Sequence, residues 1–181
     1  MKPNKFRKKF YKAITRLISK DGELIKNDLS ERSICHRLGI YLYESFRNYD
    51  VDCEYNGFEI NPRNRKVINI LRERIVELNR LRANDLENEL LERGVYPDII
   101  IHKRRTSENL LIIESKKSTN SNQLEIDFDF EKLSRFTSDE NNNQLNYEYG
   151  LFIKFIVADE PNYELTWFKN GARITEDELW K

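Results

Sequence analysis

The chain has 181 residues, 39% of them hydrophobic and 34% charged, which suits one well-cored domain rather than two. Lys and Arg balance Asp and Glu at 31 each, so the molecule as a whole is not a polycation built to coat nucleic acid. No apolar run approaches the roughly 18–20 residues that span a bilayer, and no signal-peptide pattern follows the basic N-terminus, so we expect a cytoplasmic protein with no membrane partner.

Charge is unevenly placed. Residues 1–20 carry eight Lys or Arg and no acid, so any contact with nucleic acid must be local. Phe6, Phe10, Ala13, Ile14, Leu17 and Ile18 recur at helical spacing among these cations, which predicts an amphipathic basic helix over 4–19 that ends at Asp21-Gly22. This helix is either a phosphate- or membrane-binding arm or a docked helix with a solvated face. Residues 1–22 are set apart on this basis from a main domain over 23–181.

Asp28-Leu29-Ser30-Glu31 has capping-box spacing, and Ile34, Leu38, Tyr41, Leu42 and Phe46 then give a buried stripe over 28–46. Alternation over 51–55 predicts a strand, with Asp52 and Glu54 on its exposed face. A helical insertion is expected over about 66–93, closed by Arg93-Gly94. Strands at 98–102 and 110–114, a helix at 127–136 and strands at 150–157 and 164–169 follow, and Asn141-Asn142-Asn143 reads as a loop. The acids Glu125, Asp127, Asp129 and Glu131 lack EF-hand spacing and read as an acidic helix start. The expected fold is therefore α/β, one domain on a mixed central sheet flanked by helices. Cys35 and Cys53 are expected to be reduced thiols, and with His36 and His102 they do not make a zinc set.

The chemistry concentrates in Pro97-Asp98-Ile99-Ile100-Ile101 and Leu110-Leu111-Ile112-Ile113-Glu114-Ser115-Lys116. A hairpin turning about Thr106 pairs Ile101 with Leu111 and sets Asp98 opposite Glu114, where facing side chains lie roughly 4.5–5.5 Å apart. Glu114 and Lys116, two apart, project from one face. Two facing carboxylates repel unless a cation lies between them. Mg²⁺ or Mn²⁺ could take Asp98, Glu114, the Ser115 carbonyl and waters as ligands, with Lys116 orienting a metal-bound water or offsetting phosphate charge. The plain alternative is a salt-bridged hairpin end in which Lys116 merely neutralises its neighbours. Lys117 and the loop residues Lys103, Arg104 and Arg105 are secondary candidates for holding phosphates. His36 and His102 are assigned to surface or loop packing.

Pro97-Asp98 followed by Glu114-x-Lys116 at the end of an apolar strand resembles the PD-(D/E)XK nuclease superfamily, across about residues 28–157. The resemblance implies a restriction endonuclease-like αβββαβ core, a Mg²⁺-dependent endonuclease or other phosphodiesterase, DNA in preference to RNA as substrate, and a possible homodimer. Members often carry an acid on the first core helix, and Glu31 matches by position. It lies on the buried stripe with Ile34, Cys35 and Leu38, and either joins the metal site or acts as the capping-box partner of Asp28. Glu44 is a weaker substitute. The alternative reading is a catalytically inactive nuclease-fold module that binds nucleic acid or protein.

Overall fold

A computed structural model describes residues 1–55, 96–120, 122–139 and 145–180. The helix expected over 66–92 and its Arg93-Gly94 terminus, and with them the insertion, lie outside the described residues, as does the Asn141-Asn142-Asn143 loop.

Helix α1 spans Pro3–Lys26, and its apolar stripe is fully consumed: Phe6, Phe10, Ala13, Ile14, Leu17 and Ile25 are each at most 1% exposed. Each of the Phe, Leu and Ile side chains contributes on the order of 2 kcal/mol by leaving water. The helix does not stop at Asp21-Gly22. It kinks there, with Asp21 at φ −128°, and runs on to Lys26. Tertiary partners hold the kink: the Asp21 carboxylate accepts a hydrogen bond from the Tyr41 hydroxyl and lies 3.0 Å from Arg37 Nε. A Cβ on Gly22 would meet Pro161 Cγ at 3.1 Å, so the close approach favours glycine.

Helix α2 (Glu31–Ser45) buries Ile34, Cys35, Leu38, Tyr41 and Leu42. Its N-cap is Ser30, whose side chain accepts from the Ser33 N–H at 3.2 Å. The expected box on Asp28 does not form. Asp28 has φ 53°, and its carboxylate turns instead to Lys117 Nζ at 2.7 Å and Thr119 Oγ1 at 2.9 Å.

Among the described residues, six strands form one mixed sheet in sequence order: β1 (Asp50–Cys53), β2 (Ile99–His102), β3 (Asn109–Lys117), β4 (Tyr149–Ile156), β5 (Asn162–Lys169) and β6 (Ala172–Ile174). All neighbours are antiparallel except β3 and β4, which are parallel and linked through helix α3 (Gln123–Thr137). The short helix α4 (Glu176–Leu179), capped by a Thr175–Glu178 box, ends the described fold. Neither β6 nor α4 is signalled by the apolar pattern.

Strand alternation divides the core between two faces. Ile99, Ile101, Leu111, Ile113, Leu151, Ile153 and Trp167 pack with α1 and α2, whereas Ile100, Ile112, Phe152 and Phe168 pack with Phe128, Leu133 and Phe136 of α3. Helix α1 therefore belongs to the main core and is not a detached arm. Among the described residues, no helix is long and apolar enough to cross a membrane.

Candidate active site

The β2–β3 hairpin pairs Ile101 with Leu111 and Ile99 with Ile113, in the register expected from the apolar runs. A bulge shifts the last pair to His102 and Asn109, where Arg105 adopts φ 63° and Thr106 Oγ1 donates to the Lys103 carbonyl at 2.8 Å. At the other end, β3 continues past Ile113 to Lys117 along β4, while β2 has no residue left to pair with it. Backbone donors on that open edge need acceptors. Two carboxylates supply them. Asp98 Oδ2 accepts from the Ser115 N–H at 2.8 Å and the Ser115 hydroxyl at 3.0 Å, and Glu31 Oε1 accepts from the Lys117 N–H at 2.9 Å. The free strand edge thus draws Asp98 from the start of β2 and Glu31 from the first turn of α2 to the same end of β3. Behind Ser115, the buried Cys35 places its Sγ 3.0 Å from Ser115 Oγ.

Glu114 and Lys116 project from the face that α3 covers. Lys132 Nζ lies 2.9 Å from Glu114 Oε2 and 2.9 Å from Asp129 Oδ1, and Lys116 Nζ lies 3.1 Å from Asp129 Oδ2. Glu114, Asp129 and Lys132 are each no more than 4% exposed. Glu114 Oε1 is buried with no hydrogen-bond partner among the described residues.

Burial pushes the Glu114 carboxyl well above the usual range; the Lys132 ammonium opposes this, and Asp129 and Asp98 add to it. Burial likewise raises Asp98, against the pull of Lys132 and Lys116. Lys116 would be lowered by burial, but Asp129, Asp98, Glu114 and Glu31 together overcome that and raise it. Lys132 is raised in the same way by Asp129, Glu114 and Asp98. Asp98, Glu114, Lys116 and Glu31 therefore share one electrostatic neighbourhood at the end of β3.

Asp129 and Lys132 are not among the site residues expected from the sequence, and Asp129, read there as part of an acidic helix start, is buried on the face of α3 that meets the sheet. Glu125, Asp127 and Glu131 do stay at the helix surface with local partners Asn122, Gln123 and Arg135. The signal for the other pair was present: Asp129, Lys132, Leu133 and Phe136 sit at i, i+3, i+4 and i+7, which puts two charges on the apolar stripe.

Comparison of the chain with protein-family models, with characterised proteins and with solved structures returns no match. The site has to be read from its own geometry.

The remaining candidates lie apart. Lys117 adjoins the site, but its ammonium is held by Asp28. Lys103, Arg104 and Arg105 are at the opposite end of the hairpin, where Lys103 pairs with Glu108 at 2.6 Å and Arg104 with Asp52 and Asp50. His102 is buried there, its Nε2 2.8 Å from Asp52 Oδ2 and its ring edge-on to Tyr55, a packing role; His36 is exposed. Asp52 is thus a half-buried tie between β1 and the hairpin, whereas Glu54 is exposed and pairs with Arg32. Glu44 is spent on Arg16, away from the site.

As to a metal, three buried or half-buried carboxylates, Asp98, Glu114 and Asp129, face two ammoniums, and two carboxylate oxygens among the described residues, Glu114 Oε1 and Asp129 Oδ2, accept no hydrogen bond, the latter lying 3.1 Å from Lys116 Nζ. A hard cation fits that donor chemistry and that charge excess. Among the described residues, however, no group of three or more His, Cys, Asp or Glu is already disposed around a common point. The Lys132 ammonium holds the other Glu114 oxygen, Oε2, at 2.9 Å.

Proposed function

We propose that the chain is a divalent-metal-dependent nuclease of the restriction endonuclease-like fold, hydrolysing phosphodiester bonds of DNA in preference to RNA. The observation that carries this reading is the convergence of Asp98, Glu114, Lys116 and Glu31 on the open end of β3. The order α2, β1, β2, β3, α3, β4, with β4 parallel to β3, supports it as the order that the PD-(D/E)XK resemblance implies. Asp98, Glu114, Glu31 and the Ser115 carbonyl would hold Mg²⁺ or Mn²⁺, which when bound supplies an acidified water and charge neutralisation at the phosphate. Ser115 fixes Asp98 through two hydrogen bonds. Asp129 steers the Lys116 ammonium, which stays protonated and can orient a water or balance charge on the scissile phosphate. A homodimer would let two such sites address two strands, and we place the protein in the cytoplasm.

The test is cleavage of single-stranded, duplex and branched DNA and of RNA, in Mg²⁺, Mn²⁺ or EDTA, by wild type and Lys116→Ala. Cutting that needs the metal and is lost in the variant supports the reading; cutting retained by Lys116→Ala overturns the assignment. A second reading, a non-catalytic nuclease-fold binding module, is favoured by one feature: Lys132 already neutralises Glu114 from within. Calorimetry separates the two, because an inactive scaffold shows no divalent-ion binding that depends on Asp98.

A further inference from the structure

Helix α1 turns its whole apolar stripe inward, so what it presents to solvent is charge. Lys5, Lys8, Lys12 and Arg47, the last in the turn after α2, are exposed and have no carboxylate partner among the described residues. Lys9 lies among them, its ammonium donating to the Ser45 carbonyl and resting 5.2 Å from the Phe46 ring centroid. Burial, together with Lys5, Lys12 and Arg47, pushes Lys9 below its ordinary value, so like charges crowd one another here. The turn at 46–49 carries the patch to the β2–β3 hairpin: Lys103 sits 5.4 Å from the Tyr49 ring centroid, Asp50 pairs with His102, and Arg105 is exposed beyond them. Acids of this region are already committed, Glu44 to Arg16, Glu108 to Lys103, and Asp50 and Asp52 to Arg104.

Crowded cations without counter-charges cost folding free energy, which a polyanion bound across them would return. We propose that Lys5, Lys9, Lys12 and Arg47, continued by Arg105, form a docking surface for the phosphodiester backbone of a nucleic acid. An anionic membrane fits less well. A helix that binds in the interface plane sinks an apolar face into the lipid, and here that face is spent in the core. Of the exposed large apolar side chains among the described residues, Leu29 lies between α1 and α2 and Leu124 on α3; Tyr43 alone is near the patch, on α2 four residues before Arg47. Seven strand steps of β3, from Asn109 to Lys116, separate the hairpin end from the Asp98 site, about 23 Å at strand rise. The patch would therefore anchor a strand remote from any bond being cut. Binding there needs no metal and no cleavage, so it stands apart from the reading of the Asp98 site.

The experiment is fluorescence anisotropy of labelled short duplex DNA, single-stranded DNA and single-stranded RNA, in EDTA over a salt series. It compares wild type, the patch variant Lys5→Glu/Lys12→Glu/Arg47→Glu, and a charge-matched control, Lys20→Glu/Lys26→Glu/Arg173→Glu. The patch variant should raise Kd about tenfold or more at low salt and flatten the log–log salt slope by about 3, as expected when three phosphate contacts go. The control should do neither. Equal affinity and slope for patch variant and control overturn the proposal. So does binding to phosphatidylserine vesicles without binding to any nucleic acid, or displacement by polyglutamate as effective as by unlabelled DNA. Should the Glu variant fail to fold, the Lys5→Gln/Lys12→Gln/Arg47→Gln variant gives the same comparison.

Discussion

Lys132→Met is the sharpest probe of the buried cluster. Methionine keeps an unbranched side chain of similar length, so the packing of α3 on the sheet survives while the ammonium goes. Glu114, at 1% exposure, and Asp129, at 3%, then lose the cation that lies 2.9 Å from each. Removing one partner of a buried pair costs about 3–5 kcal/mol, because a charge stays behind uncompensated. For a domain of this size that lowers Tm by roughly 6–20 °C. Burial already raises the Glu114 carboxyl. A raised folded-state value means that stability is fully present below the unfolded value and is lost as pH climbs through the folded one. Loss of Lys132 deepens that penalty, so the deficit should be largest at alkaline pH and shrink as Glu114 takes up a proton. The assay is thermal melting by circular dichroism in EDTA at acidic and alkaline pH, with Lys132→Met/Glu114→Gln as the second variant. Removing the orphaned charge should recover at least half of the lost Tm. A Lys132→Met protein that melts with wild type at both pH values would show that this ammonium does not hold Glu114.

The strand-edge donors and a tight helix–strand contact give two more expectations. Glu31→Ala strips the Lys117 N–H of its acceptor and should cost about 1–3 kcal/mol, with faster amide exchange at Lys117, whereas Glu31→Gln, which keeps a carbonyl oxygen, should lose far less. Gly39 faces Cys53 so closely that an added Cβ would lie 2.8 Å from Sγ. Set against a gain of about 1 kcal/mol in helix propensity, Gly39→Ala should destabilise by about 0.5–2 kcal/mol; urea melts should show the loss, and Cys53→Ala in the same chain should turn it into a gain.

Local pattern sufficed where neighbours in sequence are neighbours in space. The continuous apolar runs at 99–101 and 110–113 can pair in few registers, so the alignment of Ile99 with Ile113 was legible; Asp98, expected to face Glu114, lies beyond the paired residues and turns its carboxylate to Ser115. The inward stripes of α1 and α2 follow likewise from 3.6-residue periodicity. Helix ends were less legible, because the alternatives are close in energy locally. Ser30 rather than Asp28 caps α2 once Lys117 and Thr119 claim the Asp28 carboxylate, and α1 runs through Asp21-Gly22 because Tyr41 and Arg37 hold the kink. The amino-acid sequence by itself thus determined the hairpin, the two amphipathic helices and the identity of the acidic and basic groups at the end of β3. Only the tertiary structure decided that Asp129 and Lys132 join them: the stripe of α3 turns both inward, but the crossover from β3 to β4 is what brings them against Glu114 and Lys116. Only there, too, does β3 outrun β2 and leave two backbone N–H groups for Asp98 and Glu31 to satisfy.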